Sequence, residues 1–149
     1  MKALLFERIR EELRARLLRL KEAAQEAHAA ATDAGSKAES KYDTRNLEAS
    51  YLASGQAKQV EELAEALRLL EAFDVMAVDG GGGSVMGSLV AMSDGAWYLL
   101  APSAGGLEIE HEGREVTVLT PSSPLYQKLL GKYAGQTIEG SPRTIREVL

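Results

Sequence analysis

The sequence predicts an α+β protein in which an antiparallel pair of long helices precedes a compact antiparallel sheet with one short helix. A helical heptad pattern dominates the first half of the chain. Short apolar segments separated by Gly, Pro, Asp and Ser make up the rest. The pattern changes at Asp74, so we expect a coiled-coil domain over residues 1–74 and a sheet domain over residues 75–149.

The first helix is predicted from Leu5 to Ala31. Within it, apolar residues recur at alternating steps of four and three, which is the repeat of a coiled-coil seam. The seam residues are Leu13, Leu17, Leu20, Ala24, Ala27 and Ala31. Because the seam changes from leucine to alanine, we expect the two helices to approach closely at that end.

The second helix is predicted from about Ser36 to Phe73, after a break at residues 32–36. Gly35 suits a left-handed helix C-cap, and Ser36 with Glu39 matches the S-x-x-E capping box that begins a helix. The seam of this helix is formed by Val60, Leu63, Leu67 and Leu70. Two helices of about 30 residues give a hairpin about 45 Å long, at 1.5 Å per residue.

The sheet domain is predicted from short segments rich in β-forming residues. These segments are Val75–Val78, Leu89–Met92 within the strand-like stretch Ser84–Met92, Ala96–Leu100, Leu107–Glu110, Glu115–Leu119, Thr137–Glu139 and Ile145–Val148. A short helix is expected over Ser123–Gly131, with serine as N-cap, proline at the first position and glycine at the end. The glycine-rich segment Asp79–Ser84 is predicted to be a flexible turn or loop, and the absence of a following G-K-[ST] argues against a phosphate-binding loop.

The composition excludes several kinds of site. The chain has no cysteine, which excludes disulfides, thiolate catalysis and cysteine-bound zinc. Its two histidines, His28 and His111, fall on different predicted elements, so we expect no histidine-based metal or triad site. No stretch reaches the roughly 18–20 apolar residues of a membrane span, and the early charges argue against a signal peptide. We therefore expect a cytoplasmic protein.

Positive charge is concentrated near the N-terminus, although the formal net charge of the chain is -5. Residues 2–21 contain seven cationic side chains and only three glutamates. The cationic residues are Lys2, Arg8, Arg10, Arg14, Arg16, Arg19 and Lys21. Such a run is typical of the solvated face of a coiled coil. It also suits an anion-binding patch.

Two C-terminal segments resemble motifs of the Gre family of bacterial transcript-cleavage factors. Met86–Val90 is similar to the family's F-G-S-x-V strand, and Ser123–Lys132, followed by Gly135, is similar to its S-P-L-x-x-x-L-L-G-K segment. In the helical half, Arg10–Leu13 is similar to the R-E-E-L of the family, and Gly55 with Val60–Glu61 falls where similar residues stand. The resemblance covers nearly the whole chain.

The resemblance implies an FKBP-like C-terminal domain that docks on RNA polymerase at the rim of its secondary channel, while the helical finger enters the channel. Ser123, Pro124, Leu125 and Lys132 would be the docking residues. It implies a partner in RNA polymerase, with the nascent RNA 3′ end within reach of the basic run. We expect a monomer with no membrane contact and no stably bound cofactor.

In the Gre family, two acidic residues at the tip, in a G-D-x-x-E-N pattern, help hold a Mg²⁺ ion and a water at the polymerase's active site. This chemistry hydrolyses backtracked RNA, and carboxylates with waters are ordinary Mg²⁺ ligands. An ungapped alignment places Gly35 at the glycine, Ser36 at the aspartate and Glu39 at the glutamate. One acid is thus replaced by a neutral hydroxyl, which is a poor Mg²⁺ ligand.

Three alternatives at the tip remain open. Asp33, on the preceding turn, is a candidate replacement for the missing carboxylate. Tyr42 stands one position before the family's tip tyrosine, and matching it would place Ala38 at the second acid. Glu39 alternatively serves only as the partner of Ser36 in the capping box.

The predicted tip as a whole comprises Gly35, Ser36, Lys37, Ala38, Glu39, Lys41, Tyr42 and Asp43. Its lysines and the nearby Arg45 are either solvated or in contact with RNA phosphate or the polymerase's acidic active site. The basic run from Arg8 to Lys21 has the same pair of interpretations, a solvated face or a patch towards the RNA 3′ end.

Three functions follow as hypotheses. The first is a Gre-like factor that modulates elongation with weak or absent cleavage stimulation; the second is a cleavage stimulator that uses Asp33 and Glu39 with the polymerase's Mg²⁺. In both, the chain is not itself an enzyme and at most stimulates the polymerase's own hydrolysis. The third is a prolyl isomerase or chaperone, disfavoured because few aromatics are available for a proline pocket. The candidates are Trp97, Tyr98, Tyr126 and Tyr133.

Overall fold

The structure of the chain is a computed structural model that describes residues 1–32, 44–78 and 81–149. Two long helices, α1 (Lys2–Thr32) and α2 (Thr44–Ala72), come first. Five strands and a short helix follow: β1 (Leu89–Met92), β2 (Trp97–Leu100), β3 (Glu108–His111), β4 (Arg114–Leu119), α3 (Pro124–Leu129) and β5 (Ile145–Val148). The α+β prediction is confirmed.

The strands form one mixed sheet in the order β3-β4-β2-β1-β5. Neighbours pair antiparallel except β2 and β4, which are parallel. The prediction of a purely antiparallel sheet is therefore wrong at this pair. A two-residue turn at Glu112 and Gly113, both with positive φ, joins β3 and β4 as a hairpin. The sheet is mixed because β4, and not β3, pairs with β2.

Two predicted strands are absent from the described sheet. Val75–Ala77 forms a 3₁₀ turn instead, because the Asp74 carboxylate accepts a hydrogen bond from the Met76 amide at 3.0 Å and caps it. Thr137–Glu139 contributes only an isolated bridge between Thr137 and Thr144. Of the segment Ser84–Met92, only its last four residues form β1.

One face of the sheet packs against α3 in a hydrophobic cluster. The buried members are Val90, Met92, Leu100, Leu119, Tyr126, Leu129, Ile138 and Ile145. Burial raises the pKa of Tyr126 above its ordinary value. Residues that alternate with the strand members of this cluster, such as Leu89, Leu99 and Val118, are also buried, so the sheet is covered on both faces.

The beginning of α1 and the end of α2 are joined to the sheet and to each other. The rings of Phe6 and Phe73 lie 5.3 Å apart, and Arg10 donates to the carbonyls of Leu70 and Phe73. Because residues early in α1 meet residues late in α2, the helices are antiparallel at this end. Arg8 donates to the Glu110 carbonyl on β3, and the Ser103 hydroxyl donates to the Ala66 carbonyl.

By packing, residues 1–11 and 66–149 form one compact unit, and residues 12–65 form another. The boundary predicted at residue 74 marks the change from helix to sheet, whereas this division places the helix ends with the sheet. Along the predicted seams, Leu13, Leu67 and Leu70 are buried and the next seam residues outward are half-buried. None of the described helices has the length and apolarity needed to cross a membrane.

Candidate functional site

The predicted docking residues lie around α3. Ser123 holds the N-cap position with extended backbone, but its hydroxyl makes no capping hydrogen bond, and Pro124 begins the helix as predicted. Leu125 is half-buried and packs against the hydrophobic cluster. Lys132 follows the helix and is half-buried. We call Ser123, Pro124, Leu125 and Lys132 the α3 surface.

The two segments that carry the resemblance meet in this part of the fold. Met86 and Val90 belong to the same hydrophobic cluster as Leu125 and Leu129, although more than thirty residues separate them in sequence. The structure therefore brings the strand motif and the helix motif together.

The end of the glycine run is tied to the turn after α3. Ser84 is fully buried; its hydroxyl donates to the Leu129 carbonyl and accepts from the Lys132 amide at 3.2 Å. Its backbone also pairs with both Gly131 and Lys132, at 2.7 and 2.8 Å. The segment was predicted as a flexible loop, but its described end, Gly81–Ser84, terminates in this network.

Close contacts require glycine at Gly83, beside this network, and at Gly87. A Cβ on Gly83 would lie 2.8 Å from the Gly131 carbonyl carbon and oxygen, so only glycine permits the close approach. Gly87 has φ +97°, and a Cβ there would lie 2.6 Å from Val78 Cγ2. Sequence reasoning missed Ser84 as the anchor, since a serine after a glycine run equally suits an exposed loop.

A groove of about 670 Å³ lies between the loop after β2 and the loop before α3, lined by Pro102–Gly106 and Val118–Ser123. Of the predicted docking residues, Ser123 lines this groove. The hydroxyls of Thr120 and Ser122 lie 3.1 Å apart at its edge. None of the aromatic residues considered for a proline pocket lines this groove.

The predicted basic run is divided between the two compact units. Arg8 and Arg10 bond backbone carbonyls within the sheet-bearing unit. The remaining members, Arg14, Arg16, Arg19 and Lys21, lie in the other unit. There, Glu12 accepts from Arg16 at 2.9 Å and lies 4.0 Å from Arg19, and Lys21 is exposed.

The predicted tip lies outside the described residues. This concerns Asp33, Gly35, Ser36, Lys37, Ala38, Glu39, Lys41, Tyr42 and Asp43. The capping box and the two candidate Mg²⁺ ligands therefore stay predictions. Within residues 1–32, 44–78 and 81–149, no group of three or more His, Cys, Asp or Glu side chains is arranged to hold a metal ion.

The turn between β1 and β2 carries the clearest electrostatic arrangement of the sheet. Asp94 accepts from the Ala96 amide at 3.0 Å and from the Arg143 guanidinium at 3.3 Å. The hydrogen bond from the Ala96 amide is the main cause that lowers the pKa of Asp94 below its ordinary value, and the Arg143 guanidinium adds to it. Arg143 also donates to the Tyr98 hydroxyl at 3.0 Å, and this bond raises the pKa of Arg143.

Comparison with known proteins gives one structural likeness. No protein-family model matches the chain, and no curated protein matches it in sequence. Among solved structures, the chain is similar to GreA factor homolog 1 (Gfh1) of Thermus thermophilus, with 19% sequence identity, a TM-score of 0.33 and coverage of 94% of each chain. A TM-score of this size does not define a shared fold.

Proposed function

We propose that the chain is a Gre-like accessory factor that binds bacterial RNA polymerase through the α3 surface. In this proposal the paired helices α1 and α2 enter the secondary channel and modulate elongation, with cleavage stimulation weak or absent. A polymerase partner would place the protein in the bacterial cytoplasm.

One observation carries the proposal. The segments Met86–Val90 and Ser123–Lys132, on which the sequence resemblance rests, contribute to a single hydrophobic cluster. A contact between the two segments is what a single docking structure built from both of them requires. The convergence supports the interpretation of these segments as parts of one docking structure.

The helical half is consistent with a channel-probing role. Helices of 31 and 29 residues are each about 45 Å long at 1.5 Å per residue. Arg10 and the Phe6–Phe73 contact fasten their ends to one another. The segment that joins them carries the predicted tip at residues 35–43.

The weakness of cleavage rests on Ser36. A carboxylate at this position would carry a full negative charge to a Mg²⁺ ion, whereas the hydroxyl is neutral. The rival proposal, an active cleavage stimulator, requires Asp33 to supply the second carboxylate beside Glu39.

The test uses stalled, backtracked elongation complexes of the cognate polymerase with Mg²⁺. We expect the wild-type protein to change the rate of nucleotide addition without releasing short 3′ RNA fragments, and Ser36→Asp to release them. Fragment release by the wild type would favour the cleavage stimulator, and Asp33→Asn should then abolish it. A well-folded Ser36→Asp variant with no gain would contradict the alignment of the tip.

A further inference from the structure

We propose that the sheet carries a second interaction surface, separate from the α3 surface, which binds an acidic segment of a protein partner. It is formed by Arg114, Trp97 and Arg146, which we call the arginine–tryptophan cluster. The inference does not depend on the proposed function.

The cluster consists of two guanidinium groups against one indole. The guanidinium carbon of Arg114 lies 4.9 Å from the centroid of the Trp97 ring, and that of Arg146 lies 5.5 Å from it. Since β4 and β1 flank β2 on opposite sides and β5 lies beyond β1, the arginines reach the indole from opposite sides of its strand. Stacking on an aromatic ring holds a guanidinium in place while its N–H groups stay available.

Arg146 owes its position to an irregularity in β5. Ala91 pairs with Glu147 and Met92 pairs with Ile145, so Arg146 is the extra residue of a β-bulge. Bulges redirect side chains and are frequent beside functional sites. Arg114 lies two residues before Val116, which is directly opposite Trp97, so Arg114 is on the same face of the sheet as the indole.

Within the described part of the chain, neither guanidinium has a carboxylate within 4 Å. The described ion pairs of the sheet are Arg143 with Asp94 and His111 with Glu112. Both Arg114 and Arg146 are exposed, while Trp97 is only 6% exposed because the neighbouring side chains cover it. Two like charges on one ring repel each other, and a carboxylate ligand would relieve that repulsion.

The chemistry favours a protein partner over nucleic acid. Arginine is among the residues most enriched at the energetic centres of protein interfaces, and guanidinium groups bind carboxylates through paired hydrogen bonds. A nucleic-acid surface instead needs a broad basic stripe. The cluster offers only two guanidinium groups, and Glu115 and Glu147 stand next to them in sequence, so the basic area is too small to form such a stripe.

The cluster contains its own reporter, because Trp97 is the only tryptophan of the chain. The experiment titrates the full-length protein with an acetylated ten-residue oligoglutamate peptide at low salt. It follows the Trp97 fluorescence and the single indole N–H signal in an NMR spectrum. We expect a saturable change that weakens with added salt.

Two double variants test whether oligoglutamate binds at the arginine–tryptophan cluster. Arg114→Gln with Arg146→Gln should weaken oligoglutamate binding about tenfold or more, through loss of charge-assisted hydrogen bonds. The control Lys58→Gln with Lys128→Gln removes the same charge from two exposed positions and should leave binding within about twofold.

Three outcomes would overturn the proposal. These are no saturable change in either signal, equal weakening by both double variants, or tighter cluster-dependent binding of a single-stranded ten-nucleotide RNA than of oligoglutamate. An oligolysine peptide should give no change. None of these results depends on RNA polymerase, so failure here leaves the proposed function untouched.

Discussion

Arg10 has a structural role in addition to its predicted place in a binding surface. It was predicted as part of an RNA-facing basic run, and its guanidinium donates to the carbonyls of Leu70 and Phe73 at 3.1 to 3.2 Å. These carbonyls stand at the end of α2, where a helix lacks internal donors. Arg10 therefore caps α2 and fastens it to α1.

We expect Arg10→Gln to lower the free energy of unfolding by about 1–3 kcal/mol, the usual value of a hydrogen bond to a charged group in a half-buried site. Urea unfolding followed by circular dichroism measures the change. Arg16→Gln is the control, because its exposed pair with Glu12 contributes only about 0.3–0.5 kcal/mol. Equal destabilisation by both variants would contradict the capping role.

Gly87 and Gly95 form a second matched pair, since both have φ near +90°. A Cβ on Gly87 would meet Val78 at 2.6 Å and the Phe73 ring at 3.0 Å, while a Cβ on Gly95 would meet nothing within 4 Å. We expect Gly95→Ala to lose about 1 kcal/mol for the backbone conformation alone, and Gly87→Ala to lose clearly more. Thermal unfolding measures the loss of stability in both variants. Equal losses would contradict the close contacts at Gly87.

Asp94 makes stability depend on pH in a defined direction. Its folded pKa lies below the ordinary value, so its contribution is complete above the unfolded pKa and is lost as the pH falls through the folded pKa. We expect Asp94→Asn to lower the urea midpoint at pH 7, because the pair with Arg143 is lost. The difference from wild type should shrink towards pH 3. A difference that stays constant over this range would contradict the assignment.

At the scale of elements, Ser84 joins the glycine segment to the turn after α3. Its buried hydroxyl bonds both the Leu129 carbonyl and the Lys132 amide. We expect Ser84→Ala to lower the free energy of unfolding by about 0.5–1.5 kcal/mol, the usual net contribution of a hydrogen bond, because the Leu129 carbonyl and the Lys132 amide keep the 3.2 Å bond that they make with each other. The exposed Ser122→Ala is the control and should change it by less than about 0.5 kcal/mol.

The same substitution links stability to binding. If the network positions Lys132 for docking, Ser84→Ala should also weaken polymerase binding at a temperature where the variant is fully folded. Unchanged binding together with the lost stability would restrict Ser84 to a structural role.

Long periodic elements could be predicted from the sequence. Short ones could not, because a single side-chain hydrogen bond can replace the backbone pairing of a strand. The seam from Leu13 and the helix beginning at Pro124 follow from spacing and from proline's fixed φ. Val75–Val78 has the composition of a strand, but the preceding Asp74 captures the Met76 amide and forms a 3₁₀ turn. The parallel pairing of β2 with β4 depends on contacts between distant segments, which local patterns do not report.

The candidate site was only partly predictable for the same reason. The residues of the α3 surface were chosen from a motif, and the helix predicted there is present and begins at Pro124; their role in docking stays a prediction. The Ser84 network and the arginine–tryptophan cluster escaped prediction, because Arg114 and Arg146 come together only through sheet order and a bulge. Neither leaves a periodic signal in the chain.

In the whole molecule, the two compact units carry different surfaces. The sheet-bearing unit, residues 1–11 and 66–149, holds the α3 surface and the arginine–tryptophan cluster. The helical unit, residues 12–65, includes the predicted tip. In the proposed function the first part supplies affinity for polymerase, and residue 36 determines whether the second can assist RNA hydrolysis.

Binding of the full-length protein to the cognate core RNA polymerase is the decisive measurement for the proposed function. The chain offers a matched pair of Ser-Pro sequences, Ser123–Pro124 at the start of α3 and Ser141–Pro142 elsewhere. We predict saturable binding that Ser123→Ala with Pro124→Ala weakens about tenfold or more, as expected for contacts at the centre of an interface. Ser141→Ala with Pro142→Ala should leave it unchanged. Absence of binding by the folded wild-type chain would contradict the account.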